Sequence, residues 1–286
     1  MEFKDGWFPT ADGPRLYYRD YAGPADAGAR APVLCLHGLT RNSADFEDLA
    51  PHLAAKRRVL ALDVRGRGRS DPDPEPGRYH AGTYVGDVTA LLAALGIPRV
   101  ILIGTSMGGI IGMILGAMNA ASLAGLVLND IGPEIDPKGL ARIKGYVGRG
   151  GPVASWAEAA AAVRAINEIA FPDVDESFWD RFARRTYREE ADGRIVPAYD
   201  PRIADAMAEA GAAPADMWPM FDLLAKIPIL VIRGAHSDIL SAETLAAMQA
   251  RHPDLRSVTV PGRGHAPALD EPAAVAAIDA FLARLP

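Results

Sequence analysis

Short apolar runs alternate along the chain with longer segments in which apolar residues recur every three or four positions. The runs are 32–36, 59–63, 100–103, 126–128, 229–232 and 256–260. Helical spacing occurs in the segments 43–55, 83–95, 107–118, 241–250 and 272–285. Because the runs are continuously apolar, they predict strands buried on both faces, as in a parallel sheet. Strands and helices in alternation predict a doubly wound α/β fold.

The N-terminal pattern predicts a different kind of strand pair. Residues 7–9 and 16–19 flank Ala-Asp-Gly at 11–13, which is a turn signal. We therefore expect an antiparallel hairpin at one edge of the sheet.

The alternation stops after residue 130 and resumes near residue 227. The helical patterns within this stretch are 155–169, 176–187 and 201–209. It contains no convincing parallel strand, so we predict an all-helical insertion that lies on the sheet as a cap. The predicted division is 1–132 with 223–286 for the core domain and 133–222 for the helical cap.

A serine lies where a predicted strand meets a predicted helix. Residues 104–109 read Gly-Thr-Ser-Met-Gly-Gly and directly follow the apolar run 100–103. In G-x-S-x-G at a strand-to-helix turn, the serine hydroxyl is exposed, and the glycines let the strand and the helix approach closely. Ser106 is therefore the candidate nucleophile.

A serine nucleophile requires a base, and the base requires a carboxylate that orients it. His265 lies in a glycine-rich loop after the last predicted strand, and Asp238 follows the preceding strand. The chain order serine, aspartate, histidine is the one expected for this type of sheet. We favour Asp238 as the acid and keep Asp130, at the end of the run 126–128, as the alternative.

Backbone N–H groups near the serine are the expected donors to the oxyanion that forms during attack on a carbonyl. One belongs to Met107, directly after the serine, and the other to Leu39, in the turn after His37-Gly38.

The chain resembles enzymes of the α/β-hydrolase fold with a helical cap, in their esterase-like branch. The resemblance covers the hairpin, the His-Gly strand end, the loop 63–70, the serine turn, the cap and both late loops. It implies a Ser106–His265–Asp238 triad that forms an acyl-enzyme intermediate. Serine at position 106 disfavours relatives with an aspartate nucleophile, such as haloalkane dehalogenases and epoxide hydrolases. The Gly-Gly-Gly oxyanion loop of some lipases is absent, and Leu-Thr-Arg stands at 39–41 instead.

Other polar and aromatic residues are candidates for the substrate pocket. The candidates are His37, Arg41, Asn42, Trp218 and Phe221. We expect His37 chiefly to shape the oxyanion turn, and a helix-capping role for Asn42 is equally open. The arginines of the loop 63–70 are interpreted as turn and surface ion pairs.

Composition excludes several kinds of partner. The net charge of −6 argues against nucleic acid and anionic membrane surfaces, which require a basic patch. No apolar run approaches the ~18 residues of a membrane span, and the N-terminal residues do not resemble a secretory signal. The single cysteine, Cys35, lies in an apolar run, so we interpret it as a core residue. We expect a cytoplasmic monomer or homodimer with a small-molecule substrate.

The sequence thus predicts a serine hydrolase that cleaves a small carboxylic ester, lactone or thioester. We expect neither a cofactor nor a metal, because the histidines and carboxylates lack metal-ligand spacing. Carbon–carbon bond hydrolysis on the same fold is the nearest alternative. Haloperoxidase-like or acyltransferase activity and a non-catalytic ligand-binding homologue also remain open.

Overall fold

The structure is a computed structural model that describes residues 2–209 and 216–286. Within these residues, a main sheet has eight strands and a separate hairpin has two. The strands are β1 (Lys4–Pro9), β2 (Arg15–Tyr21), β3 (Val33–Leu36), β4 (Val59–Leu62), β5 (Val100–Thr105), β6 (Leu123–Asn129), β7 (Tyr187–Glu189), β8 (Ile195–Pro197), β9 (Ile229–Gly234) and β10 (Leu255–Val260). The helices are α1 (Leu49–Ala54), α2 (Ala81–Ala94), α3 (Met107–Met118), α4 (Pro137–Tyr146), α5 (Trp156–Asn167), α6 (Glu176–Thr186), α7 (Ile203–Glu209), α8 (Trp218–Asp222), α9 (Ala242–Arg251) and α10 (Pro272–Leu282).

The main sheet has the strand order β1-β2-β4-β3-β5-β6-β9-β10. Strand β2 runs antiparallel to both of its neighbours, β1 and β4. The other neighbouring strands pair in parallel. The predicted fold class, a mostly parallel doubly wound sheet with an N-terminal antiparallel hairpin, is therefore confirmed.

Both faces of the central strands are buried. In β3, Leu34 and Leu36 belong to one core with residues of α2, α3 and α9, whereas Val33 and Cys35 belong to the other with residues of α1 and α10. All of these side chains are fully buried, which explains the continuous apolar pattern. Burial also raises the pKa of the Cys35 thiol. Cys35 is thus a core residue, as the sequence predicted.

Several helices begin at a side chain that accepts a hydrogen bond from the first turn. Asp136, Ser155, Asp175 and Ser241 do so for α4, α5, α6 and α9. Helix α2 has 14 residues. Across residues 2–209 and 216–286, no helix combines the length and the apolar character needed to cross a bilayer.

The segment between β6 and β9 leaves the sheet and forms helices α4 to α8. The prediction that this insertion is all-helical was wrong, because β7 and β8 form an antiparallel hairpin within it. Each of these strands has only three residues, too few for an alternating pattern to be visible in the sequence. Trp179 and Phe171 lie in a separate apolar core of this segment. The limits 133–222 for a cap domain remain our proposal.

The arginine-rich loop after β4 is also more buried than the sequence indicated. The side chain of Arg65 is 1% exposed and forms ion pairs with the carboxylates of Asp12, Asp73 and Asp87. Arg69 is half-exposed and pairs with an aspartate at the surface. The interpretation as surface ion pairs holds for Arg69 and fails for Arg65, because the hairpin β1–β2 and helix α2 enclose the loop.

Candidate active site

Ser106 occupies the turn between β5 and α3, at the carboxyl edge of the sheet. Its backbone has φ 50° and ψ −112°, which residues other than glycine rarely adopt. A Cβ at Gly104 would lie 2.3 Å from the carbonyl carbon of Gly108, and a Cβ at Gly108 would lie 2.2 Å from the Leu36 oxygen. The glycines thus permit the close approach of strand and helix that presents the serine to the cleft above the sheet.

His265 lies in the loop after β10 and contacts the serine. Its Nε2 atom is 3.0 Å from Ser106 Oγ. The hydroxyl donates to Nε2 when the proton of the neutral imidazole is on Nδ1. The structure therefore brings together the nucleophile and the base that the sequence predicted.

Asp130 holds His265 in that tautomer. Its Oδ2 atom lies 2.8 Å from His265 Nδ1, so the ring N–H donates to the carboxylate. The backbone N–H of Gly234 donates to Oδ1 over 2.7 Å, and the hydroxyl of Ser237 donates to Oδ2 over 2.6 Å. These donors satisfy a carboxylate whose side chain is fully buried, and they fix its orientation.

The structure does not bring Asp238, the preferred candidate acid, into contact with His265 and places the alternative, Asp130, there instead. The Asp238 carboxylate accepts two hydrogen bonds from the Arg142 guanidinium, over 2.6 and 2.9 Å. Burial by itself would raise the pKa of Asp238, but the hydrogen bonds and charge of Arg142 outweigh it and lower that pKa. Arg142 lies on α4 of the insertion, so no sequence pattern near Asp238 revealed the ion pair. The available signal was the position of Asp130, directly after a strand.

Two backbone N–H groups beside the serine have no hydrogen-bond acceptor within the described part of the chain. They belong to Leu39 and Met107, the residues that the sequence predicted as oxyanion donors. A Cβ added to Gly38 would lie 3.9 Å from Ser106 Cβ, which places the turn containing Leu39 beside the nucleophile. Both amides are therefore free to donate to a substrate oxygen.

His37 supports this turn from beneath and does not line the cleft. Its buried Nδ1 atom lies 2.7 Å from the Gly38 carbonyl oxygen, and Nε2 accepts from the Val64 N–H over 3.0 Å. Burial lowers the pKa of His37 from 6.5 to about 4, so the ring is neutral at pH 7. The expected shaping role of His37 fits these contacts, and its candidacy as a pocket residue does not.

The cleft above Ser106 has a wall of aromatic side chains from the insertion. These are Tyr146, Phe171, Phe178, Phe182, Tyr187 and Tyr199. The candidates Trp218 and Phe221 do not line it. Phe221 is buried in the main core, and Trp218 packs on it with ring centroids 5.8 Å apart. The sequence identified an aromatic insertion but selected the wrong members, because helical periodicity does not tell which face meets the cleft.

The polar candidates Arg41 and Asn42 differ in their contacts. Arg41 lines the cleft, pairs with Asp45 and stacks its guanidinium 3.9 Å from the centre of the Phe182 ring. Asn42 caps the short helical turn that follows it, accepting from the Ala44 N–H over 2.9 Å. Of the two open interpretations of Asn42, the structure shows the capping contact.

A serine, an imidazole and a buried carboxylate in series can activate the serine hydroxyl for attack on a carbonyl. The free amides beside Ser106 can receive the negative charge that this attack creates. Among the residues that the structure describes, no group of three or more His, Cys, Asp or Glu side chains could hold a metal ion.

Known proteins resemble this chain over most of its length. A 3-hydroxybutyrate-oligomer hydrolase from Cupriavidus necator is 33% identical over 283 residues, which covers 93% of this chain and 92% of the relative. A 2-(acetamidomethylene)succinate hydrolase from Mesorhizobium japonicum is 31% identical and covers 84% of this chain and 83% of its own. The crystal structure of an alpha/beta hydrolase from Novosphingobium aromaticivorans is 48% identical with a TM-score of 0.93, covering 99% of both chains.

Residues 31–272 match the family described as the alpha/beta hydrolase fold. This range begins just before β3 and reaches the start of α10, so it contains Ser106, Asp130 and His265. The match to the family, the similar relatives and the strand order all indicate the same fold. The chain therefore belongs to the α/β-hydrolase fold family.

Proposed function

We propose that this hydrolase cleaves a small carboxylic ester through an acyl-enzyme intermediate on Ser106. The observation that carries the proposal is the continuous contact of Ser106 Oγ with His265 Nε2 over 3.0 Å and of His265 Nδ1 with Asp130 Oδ2 over 2.8 Å. This connection supports the proposal because it gives the hydroxyl that faces the cleft a proton acceptor held in one tautomer.

In the proposed first half-reaction, Ser106 Oγ attacks the ester carbonyl carbon while His265 Nε2 takes the hydroxyl proton. The imidazolium that forms keeps its Nδ1–H on Asp130, whose negative charge stabilises it. The N–H groups of Leu39 and Met107 donate to the oxyanion, each contributing roughly 3 kcal/mol to transition-state stabilisation. His265 then gives its proton to the alkoxide leaving group as the C–O bond breaks.

In the second half-reaction, a water replaces the released alcohol. His265 Nε2 takes a proton from the water, the hydroxide attacks the acyl carbon, and the acid leaves as Ser106 Oγ recovers the proton. Both half-reactions use the same donors, so one cleft serves the alcohol and acyl portions in turn.

For the substrate, we propose short oligoesters of a 3-hydroxy acid. The similarity to the Cupriavidus necator 3-hydroxybutyrate-oligomer hydrolase, over more than nine-tenths of both chains, supports this class. The aromatic wall suits the alkyl part of such a chain. The Tyr146 hydroxyl, which makes no hydrogen bond to another described residue, is available to an ester or hydroxyl oxygen away from the reacting carbonyl.

The test combines active-site labelling with product analysis. We expect a fluorophosphonate to add to Ser106 in the folded protein and not to the Ser106→Ala variant. Dimers and trimers of 3-hydroxybutyrate should yield monomer, measured by chromatography, with a higher kcat/KM than p-nitrophenyl butyrate. Labelling that is absent from the wild-type protein would overturn the serine mechanism. Labelling together with p-nitrophenyl ester turnover, but without monomer release, would overturn only the substrate class.

Carbon–carbon bond hydrolysis, the alternative from the sequence, would use the same Ser106, His265 and Asp130. A dienoic ketone in the same assay separates the two reactions. Cleavage of this ketone by a protein that turns over none of the esters would replace our proposal with the alternative.

A further inference from the structure

Arg67 carries a buried positive charge that no carboxylate neutralises by contact within the described part of the chain. Its side chain is 1% exposed, as is that of Arg65 two residues earlier. Arg65 contacts three aspartates, whereas Arg67 has no carboxylate oxygen within 4.0 Å among the described residues. A buried charge without a counter-charge is costly, so the position of Arg67 requires an explanation.

The guanidinium of Arg67 contacts both residues whose amides are the proposed oxyanion donors. Its Nε–H donates to the Leu39 carbonyl oxygen over 2.9 Å. Its Nη2 group lies 3.7 Å from the sulfur of Met107. The other donor, Nη1, is satisfied by the Arg65 carbonyl over 2.8 Å and the Tyr84 hydroxyl over 2.9 Å. One side chain therefore connects the turn after β3 with the first residue of α3.

All of these acceptors are neutral, so none of the groups that contact the guanidinium carries a negative charge. The guanidinium also lies over the rings of Tyr79 and Tyr84, at 5.4 and 4.9 Å from their centres. These aromatic faces attract the cation without removing its charge. Burial is the largest cause of the lowered pKa of His37, and the positive charge of Arg67 lowers that pKa further. The electrostatic field of Arg67 therefore reaches the residue beneath the turn.

We propose that Arg67 is the positioning residue of the oxyanion hole and supplies a fixed positive charge behind it. The hydrogen bond to the Leu39 carbonyl holds the turn so that the neighbouring amides face the reacting carbonyl. The buried charge stabilises the tetrahedral oxyanion more than the neutral ester, because only the oxyanion carries a full negative charge. This inference rests on the proposed function of Ser106.

A purely structural role predicts a different result. The loop also joins the insertion through the backbone, since the Gly68 N–H donates to the Ala198 carbonyl over 2.8 Å and Arg67 bridges to Tyr199. These contacts do not use the Arg67 side chain and remain when it is replaced. A readout that follows the charge of the oxyanion itself separates the two roles.

The probe is a short-chain alkyl trifluoromethyl ketone labelled with ¹³C at the carbonyl. Addition of Ser106 Oγ to this ketone forms a hemiketal, whose oxyanion titrates visibly in the ¹³C chemical shift. The variants are Arg67→Met and, as the matched control from the same loop, Arg69→Met, whose arginine is half-exposed. Steady-state kinetics with p-nitrophenyl butyrate accompany the titration.

We expect Arg67→Met to raise the hemiketal pKa by about one unit or more, which is ~1.4 kcal/mol of lost oxyanion stabilisation. The kcat should fall about tenfold or more while KM stays within about twofold, and Arg69→Met should match the wild type. A hemiketal pKa unchanged in Arg67→Met, with or without a loss of kcat, would overturn the proposal. A wild-type protein that forms no hemiketal would instead overturn the function of Ser106 on which the proposal rests.

If Arg67→Met does not fold, a comparison of Arg67→Lys with Arg67→Gln tests the same proposal. Lysine keeps the charge, whereas glutamine keeps a hydrogen-bond donor for Leu39 and loses the charge. The proposal expects a hemiketal pKa near that of the wild type with lysine and a raised one with glutamine. Equal values in both variants contradict it.

Discussion

Ser106 and Asp130 lie side by side, each directly after the last residue of a parallel strand, β5 for Ser106 and β6 for Asp130. The register of β5 and β6 pairs Thr105 with Asn129, so the next residue on each strand lies at the same level of the sheet. Both have a left-handed backbone, with φ of 50° and 58°. Such backbones cost roughly 1–3 kcal/mol each and persist only where the surrounding structure imposes them. The proposed nucleophile and the proposed acid thus leave the sheet side by side, and His265 contacts both of them.

The adjacent residue Asn129 connects these three elements. Its Nδ2 group donates to Thr105 Oγ1 over 3.0 Å and to the Pro267 carbonyl over 2.9 Å. The first contact ties β6 to the residue before the nucleophile, and the second ties it to the loop of His265. The distance between Ser106 and His265 is therefore fixed by contacts beneath the cleft as well as by the contacts of these residues with each other and with Asp130.

Replacement of the acid distinguishes the two candidate aspartates. We expect Asp130→Asn to lower kcat by about 10³- to 10⁴-fold, because an amide no longer holds His265 in the tautomer that accepts the serine proton. Asp238→Asn is the matched control, and its kcat should fall less than about tenfold since Asp238 pairs with Arg142. The measurement is steady-state hydrolysis of p-nitrophenyl butyrate, and the reverse ranking would restore Asp238 as the acid.

The buried His37 predicts a loss of stability in mild acid. Its pKa is 6.5 in the unfolded chain and about 4 in the folded protein, so below pH 6.5 the unfolded state binds a proton that the folded state does not. The free energy of unfolding therefore falls as the pH drops from 6.5 to 4, by on the order of 3 kcal/mol from this group. Above pH 6.5, His37 contributes no pH dependence.

Urea unfolding of the wild type and His37→Gln between pH 4 and 7.5 tests this linkage. The variant, which lacks the titrating ring, should lose about 3 kcal/mol less over the acid range, whatever its stability at pH 7. Parallel curves for the two proteins would show that His37 binds its proton equally well in both states.

The glycine after the serine turn predicts a large loss of stability. In Gly108→Ala, the new Cβ would lie 2.2 Å from the Leu36 oxygen, which belongs to the backbone of β3 and cannot move cheaply. We expect destabilisation by about 3 kcal/mol or more. Gly86→Ala is the control: Gly86 lies inside α2 with nothing within 4 Å of its added Cβ. It should gain about 0.5–1 kcal/mol. The measurement is the thermal unfolding temperature of both variants. Unfolding temperatures that shift in the same direction would contradict this packing argument.

The position of the cleft predicts which aromatic residue affects substrate binding. Phe178 lines the cleft, so Phe178→Ala should raise KM for p-nitrophenyl hexanoate by about tenfold, or ~1.4 kcal/mol, with a smaller change for the acetate. Trp218 lies outside the cleft and packs on Phe221, so Trp218→Ala should leave both KM values within about twofold. If Trp218→Ala, and not Phe178→Ala, alters how KM depends on the length of the acyl chain, the acyl site would lie at α8 instead.

Local features of the sequence were enough to predict the sheet, the serine turn and the position of His265 beside the serine. The glycines around Ser106 exclude side chains where the strand and the helix meet, and this requirement is visible in six consecutive residues. The loop of His265 follows the last strand, where the carboxyl ends of parallel strands converge. The short strands β7 and β8 have too few residues to show a period, so the sequence pattern predicts only helices in the insertion.

The sequence by itself determined which residue types stand at the carboxyl edge of the sheet, because strand direction and chain order place them there. It did not determine whether Asp130 or Asp238 meets His265, since each follows a parallel strand, β6 or β9, on the same side of β5. The Asp130–His265 contact and the Arg142–Asp238 ion pair separate them. It also did not show that Arg67 lies behind the oxyanion turn, or that Phe178 rather than Trp218 faces the cleft. These outcomes depend on how distant elements pack against one another, and only the tertiary structure decided them.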